Sequence, residues 1–210
     1  MNTEKLIHAL VIDGSRPVVP IGRTLLRALG LAIIVAELSL FILHPRVDIV
    51  QALSTTPFAF KLLLMLALTA TSAVVLVDTA RPISAPHRRW VLILAPLLLS
   101  GGVIVELITV PPHAWTAQLI GHNAAHCLMF IPLLSVAPLA CLLLALRGGA
   151  PAHPMLAAAA AGLQAAGVGA TIYALTCPDD NPLFIAAWYS VAIAIVTATS
   201  AFIGRRLLRW

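Results

Sequence analysis

Apolar residues run along this chain in six long blocks, near residues 24–43, 58–77, 90–110, 121–146, 155–175 and 183–203. Each is close to the roughly 20 residues that cross a bilayer as a helix. The gaps carry breaker residues: His44-Pro45, Thr56-Pro57, Arg81-Pro82, Pro111-Pro112, Gly148-Gly149, Pro151, Pro154, Pro178 and Pro182. A membrane barrel strand needs only about ten residues and alternates apolar with polar, so the pattern predicts helices. The fold class that follows is an all-α membrane protein with six transmembrane helices over residues 24–203. A tail of residues 1–23 precedes them and a basic tail of residues 204–210 follows. The fifth helix carries Ala157–Ala161, Ala158–Gly162 and Ala165–Gly169 at a small-xxx-small spacing that permits close backbone approach. Pro96, Pro132 and Pro138 are expected to bend the third and fourth helices. No internal repeat of the transporter kind is visible, nor a matched pair of broken helices.

Composition agrees with this class. The chain is 60% hydrophobic and 10% charged, with a mean hydropathy of +1.00, whereas a soluble domain carries about 25% charged residues. No room is left for a second, soluble domain. The opening MNTEKLIHALVIDG holds Glu4 and Asp13 and lacks the apolar core of a cleavable signal peptide. Charge placement then sets orientation. Of the 13 Lys and Arg residues, all but Arg46 and Lys61 fall on one side if the N-terminus is inside: Lys5, Arg16, Arg23, Arg27, Arg81, Arg88, Arg89, Arg147, Arg205, Arg206 and Arg209. The positive-inside rule therefore puts both termini in the cytoplasm of a bacterial inner-membrane protein. The net charge of +5 reads as topology plus attraction to anionic lipid. Direct nucleic-acid binding is not expected, because the basic residues sit at helix ends rather than on one polar face. Trp90 and Trp210 fall at the inner interface and Trp115 at the outer one.

Candidate chemistry gathers on the outer side. Glu37 and Glu106 are acids inside predicted spans, where ionisable groups are costly enough to suggest a role, although their outer positions also let them reach interfacial water. Lys61 is expected to snorkel to the outer surface. His44, His113, His122 and His126 lie at or near that face, with Cys127 at the start of the fourth helix. Cys177 lies in the loop TCPDDN, beside Asp179 and Asp180. His122 and His126 are one helical turn apart if that helix begins near residue 121. His122, His126, Asp179 and Asp180 are thus candidate ligands for a regulatory metal ion, with the thiols adding the soft donors that borderline metals prefer. No CxxC or HExxH spacing is present. Cys141, toward the cytoplasmic end of the fourth helix, reads as a structural thiol. No catalytic triad, Walker loop or dinucleotide fingerprint appears, so the chain is not expected to be an enzyme. A small metal or proton-coupled transporter using Glu37, Glu106 and the histidines is the alternative that these residues allow.

The order of local motifs adds a resemblance. MNTEKLIHAL followed by Arg16-Pro17-Val18, HCLMFIPLLSVAPL around Cys127, TCPDDNPLFIAAWY around Cys177 and the terminal GRRLLRW together resemble the NrsF family of membrane-bound anti-sigma factors. The stretch RPVVPIG (16–22) departs from the basic run of that family. The resemblance implies a partner, an extracytoplasmic-function sigma factor held at the membrane until stress arrives. It also implies that Cys127 and Cys177 take part in sensing metal or oxidative stress. Within residues 1–23, Leu6, Ile7, Leu10 and Val11 follow helical spacing, a stripe that suits docking in a partner's groove or lying on lipid. The resemblance points it toward the sigma factor.

Overall fold

The computed structural model describes residues 3–4, 21–43, 45–81, 86–149 and 151–208. The tail stripe of Leu6, Ile7, Leu10 and Val11 and the side chain of His44 lie outside the described residues. Among those described the structure is helical, with no strand. Helix α1 is Ile21–Leu43, the short α2 is Ile49–Ala52 and α3 is Thr56–Thr79. Helix α4 spans His87–Thr109 and opens as a 3-10 helix over Pro86–Ile93. Helix α5 is Pro112–Ile120, α6 is Ala124–Arg147 and α7 is Pro154–Ala174. Helix α8, Pro182–Leu207, contains a π-helical stretch at Ile185–Tyr189.

Five of these helices, α3, α4, α6, α7 and α8, are long and apolar enough to cross a membrane. Helix α1 covers the first apolar block. Prolines mark several starts: Pro57, Pro112, Pro154 and Pro182 sit in the first turns of α3, α5, α7 and α8, where a missing N–H breaks no helical bond and the fixed φ suits the helix. Helix α5 falls in a stretch expected to be loop. It is short, and its Trp115 indole donates back to the Val110 carbonyl at 2.9 Å.

Helix α7 is the centre of the bundle and packs against α3, α6 and α8, while α1 packs on α6 and α4 on α3. Of its most apolar stretch 72% is buried by protein, against 11% for α4. The cause is the small-residue pattern. A Cβ on Gly162 would come within 3.0 Å of the Ser200 Oγ on α8, and one on Gly169 within 2.6 Å of the Ser135 Oγ on α6. Lipid tails are as apolar as leucine, so such close van der Waals contact, rather than burial from water, drives these helices together. Polar contacts add to it inside the bundle. The Ser72 hydroxyl donates to Gln164 Oε1 at 2.6 Å, and the Ser200 hydroxyl donates to the Ala158 carbonyl at 2.6 Å. Two apolar clusters result. One, with Leu25, Leu76, Leu142, Leu146 and Leu208, fills the end nearer the termini. The other, with Ile131, Tyr173, Phe184 and Tyr189, fills the opposite end and encloses Cys127 and Cys177.

Candidate functional site

Three connections meet at that second end: residues 45–55 between α1 and α3, residues 110–123 around α5, and residues 175–181 between α7 and α8. Fixed amides and charges join them. Lys61, one turn inside α3, donates from Nζ to the Cys177 carbonyl at 2.8 Å and to the Asp179 carbonyl at 3.2 Å, and pairs with the Asp180 carboxylate. The two carbonyls take two of the three ammonium protons, and the Asp180 carboxylate balances the charge. The Asp180 carboxylate also takes Arg46 Nη1 at 2.9 Å, and Arg46 bonds Asp48 through Nε and Nη2, both at 2.7 Å. The Arg46 guanidinium and the Lys61 ammonium both stand 5.6 Å from the Phe58 ring centroid. Two cations thus meet two carboxylates over one aromatic ring. The hydrogen bonds from Asp48 and Asp180 hold the proton on Arg46 more firmly than usual despite burial. Arg46 in turn pulls Asp48 below the ordinary carboxylate range.

Asp179 has a different task. Its Oδ2 accepts from the His122 amide at 3.1 Å, the Asn123 amide at 2.9 Å and the Asn123 side chain at 3.0 Å. The carboxylate therefore ties the 175–181 loop to the turn that begins α6. That turn depends on Gly121, whose φ of 57° is left-handed and whose Cβ would strike the Phe184 ring. Glu106 completes the joint, accepting from the Leu183 amide at 2.7 Å in the first turn of α8, one of the amides a helix start leaves without an internal partner.

Held by these contacts, the two cysteines sit in one cluster. Cys127 is 0% and Cys177 2% exposed. Burial raises the Cys177 thiol above the usual cysteine range, with Lys61 acting the other way. A cleft of about 400 Å³, lined by Asn123, His126, Phe130, Tyr173, Thr176, Cys177 and Pro178, reaches this cluster from the surface. Its wall is an aromatic run, with His126 stacked on Phe130 and Phe130 on Tyr173, each at 6.1 Å between centroids.

Several expectations are corrected. Lys61 does not snorkel: it is 0% exposed, because the inward loop offers carbonyls and a carboxylate closer than water. Cys177 is buried for the same reason. The loop that carries it folds in over α3. Helix α6 starts at Ala124 rather than near 121, so Cys127 lies in its first turn, about 5 Å along the axis at 1.5 Å per residue. His122 consequently stands outside the helix, 95% exposed with Nδ1 3.7 Å from Asp179 Oδ1, and does not share a helical face with His126. Among the described residues no three His, Cys, Asp or Glu side chains converge as metal ligands. The intramembrane acids part company. Glu106 is buried and used, whereas Glu37 is exposed on α1. Cys141 is partly buried. Asp48, Asn123 and Tyr173 were not singled out from the sequence, and Arg46 only as a cation on the outer side. Arg46 had a signal, since a lone cation beside Lys61 on an otherwise cation-poor side calls for acids such as Asp179 and Asp180.

Comparison with known proteins bears on this site. The family described as NrsF, negative regulator of sigma F, matches residues 13–210. The chain is similar to the anti-sigma-F factor NrsF of Caulobacter vibrioides (strain NA1000 / CB15N), at 33% identity over 100% of both chains. It is also similar to the probable anti-sigma-F factor NrsF of Azospira oryzae, at 31% identity over 82% of each. No solved structure matches it.

Proposed function

The chain belongs to the NrsF family, negative regulators of sigma F, and from that premise we propose that it is an inner-membrane anti-sigma factor that releases its partner when Cys127 and Cys177 react. The partner in this reading is an extracytoplasmic-function sigma factor, held at the cytoplasmic face by residues 1–23 through Leu6, Ile7, Leu10 and Val11. Helix α1 joins the five apolar helices to make six spans, and the loops around Cys177 face the periplasm.

The observation that carries the reading is the placement of both thiols in one buried cluster, one on α6 and one on the loop between α7 and α8. On the oxidising side of the membrane such a pair can be joined and persist. Forming the disulfide removes two protons and two electrons, which a periplasmic disulfide or peroxide accepts. A soft divalent cation instead displaces the two thiol protons and bridges the thiolates, with no electron transfer. Either product changes what Lys61 and Asp179 hold, because the Cys177 carbonyl and the loop's carboxylates anchor to α3 and to the start of α6. Helix α6 also packs on α1, which leads directly to the cytoplasmic tail. A coupling of roughly 1–3 kcal/mol through these helices suffices to shift partner binding five-fold or more.

Transcription from a sigma-dependent promoter tests this in cells treated with a thiol-reactive cation. Cys127→Ser and Cys177→Ser should each block induction with basal repression intact, and Cys141→Ser should respond as the parent does. A normal response from both single variants would remove the sensing role from this pair.

A further inference from the structure

A cavity of about 570 Å³ opens between α3 and α4, away from the thiols. Its walls are largely apolar, from Phe60 on α3 and Leu97, Leu98 and Val105 on α4, and Glu106 and Gln118 also line it. Glu106 is only 7% exposed. Its Oε2 takes the Leu183 amide, and capping that amide needs just one carboxylate oxygen. Gln118 Oε1 is buried without a hydrogen-bond partner. The polar groups converging on this cavity therefore include a carboxyl and an amide oxygen, both acceptors. A void so lined is completed by a molecule that donates hydrogen bonds from a cation and is otherwise apolar. A neutral alkane would leave the Gln118 oxygen unsatisfied, and an anion would be repelled by Glu106. Gly101 lines the same space and has nothing within 4 Å of where its Cβ would be, so a side chain added there has room to enter it.

We propose that this cavity is a binding site for an alkylammonium, its chain between Phe60 and Leu98 and its ammonium on Glu106 and Gln118. Two sources share that chemistry: the amine headgroup of a phosphatidylethanolamine whose acyl chain enters from the bilayer, and a free long-chain amine. Because Asn181 and Pro182 also line the cavity, an occupant touches the segment that follows Cys177 and constitutes an input separate from the thiols.

The full chain in phosphatidylcholine nanodiscs is titrated with decylamine, with decanol as the uncharged control, and binding is read by native mass spectrometry and by thermal stabilisation. Decylamine should bind saturably at one site and decanol should not displace it. Glu106→Gln, which retains an oxygen for the Leu183 amide, should weaken binding roughly tenfold or more, as loss of one partner of a desolvated charge pair does. Gly101→Leu fills part of the cavity while leaving the Glu106 carboxylate in place, and should abolish binding while unfolding at the parent temperature or above. Adding phosphatidylethanolamine to the nanodiscs assigns the source. Competition marks the lipid as the resident, and unchanged decylamine affinity marks the free amine. Equal binding by the parent and by Gly101→Leu, or displacement by decanol as effective as by decylamine, overturns the proposal.

Discussion

Lys61 shows how one side chain is decided by its neighbours. An ammonium in a membrane helix is expensive, and a nearby interface ordinarily draws it out to water. Here the 175–181 loop supplies two carbonyls and the Asp180 carboxylate, so the cost of desolvation is offset in place. The partners are unequal in what their loss leaves behind. Asp180→Asn leaves Lys61 buried with neutral acceptors only, and should destabilise the protein by about 3–5 kcal/mol, the usual cost of an uncompensated buried charge. Lys61→Met leaves Asp180 still paired with Arg46 and should cost less. In the double variant no charge is stranded at Lys61, so it should be more stable than Asp180→Asn alone. A double-mutant cycle by thermal unfolding in detergent checks the order, and additive losses would show that the pair does not couple.

Among the elements, α7 is built for contact and α4 for lipid. The small residues of α7 let three helices approach it closely, and at Gly169 an added Cβ would come within 2.6 Å of the Ser135 Oγ on α6. Gly169→Val should therefore push α6 away and lower stability by about 1–3 kcal/mol, the range for overpacking. The change should insert normally, because a valine is welcome in a membrane helix. Heat-induced aggregation at a lower temperature, with unchanged membrane yield, is the measurement expected. A Gly101→Val control on α4, where no atom lies within 4 Å, should be tolerated.

For the whole molecule, the distribution of Lys and Arg makes the topology testable. Reporter fusions after residue 50, near 115 and near 180 should report the periplasm, and those near 85, near 150 and at the C-terminus the cytoplasm. If the fusions near 85 and 115 report the same side, the six-span reading fails. The regulatory reading has its own test at this scale. Replacing Leu6 and Leu10 by Asp should leave the protein in the membrane and make target transcription constitutively high, since an apolar anchor cannot be exchanged for a charge at a desolvated contact. Retained repression would move the partner's site to the 78–89 loop or the C-terminal tail.

Helix type, the positions of the apolar blocks and the small-residue face of α7 were determined by sequence alone, because each depends on local composition: the length of an apolar block, the period of small residues, a proline in a first turn. The structure reproduces those blocks within a few residues, as with 155–175 against Pro154–Ala174. The pairing of Cys127 with Cys177 in one cluster, the burial of Lys61, and the capping roles of Asp179 and Glu106 were decided only by the tertiary structure. These rest on contacts between residues far apart in the chain, 116 positions in the case of Lys61 and Cys177. Whether a charged side chain turns to water or to a folded-in loop is a competition between solvation and nearby acceptors. Hydropathy describes only the first of these, and the inward fold of TCPDDN supplies the second.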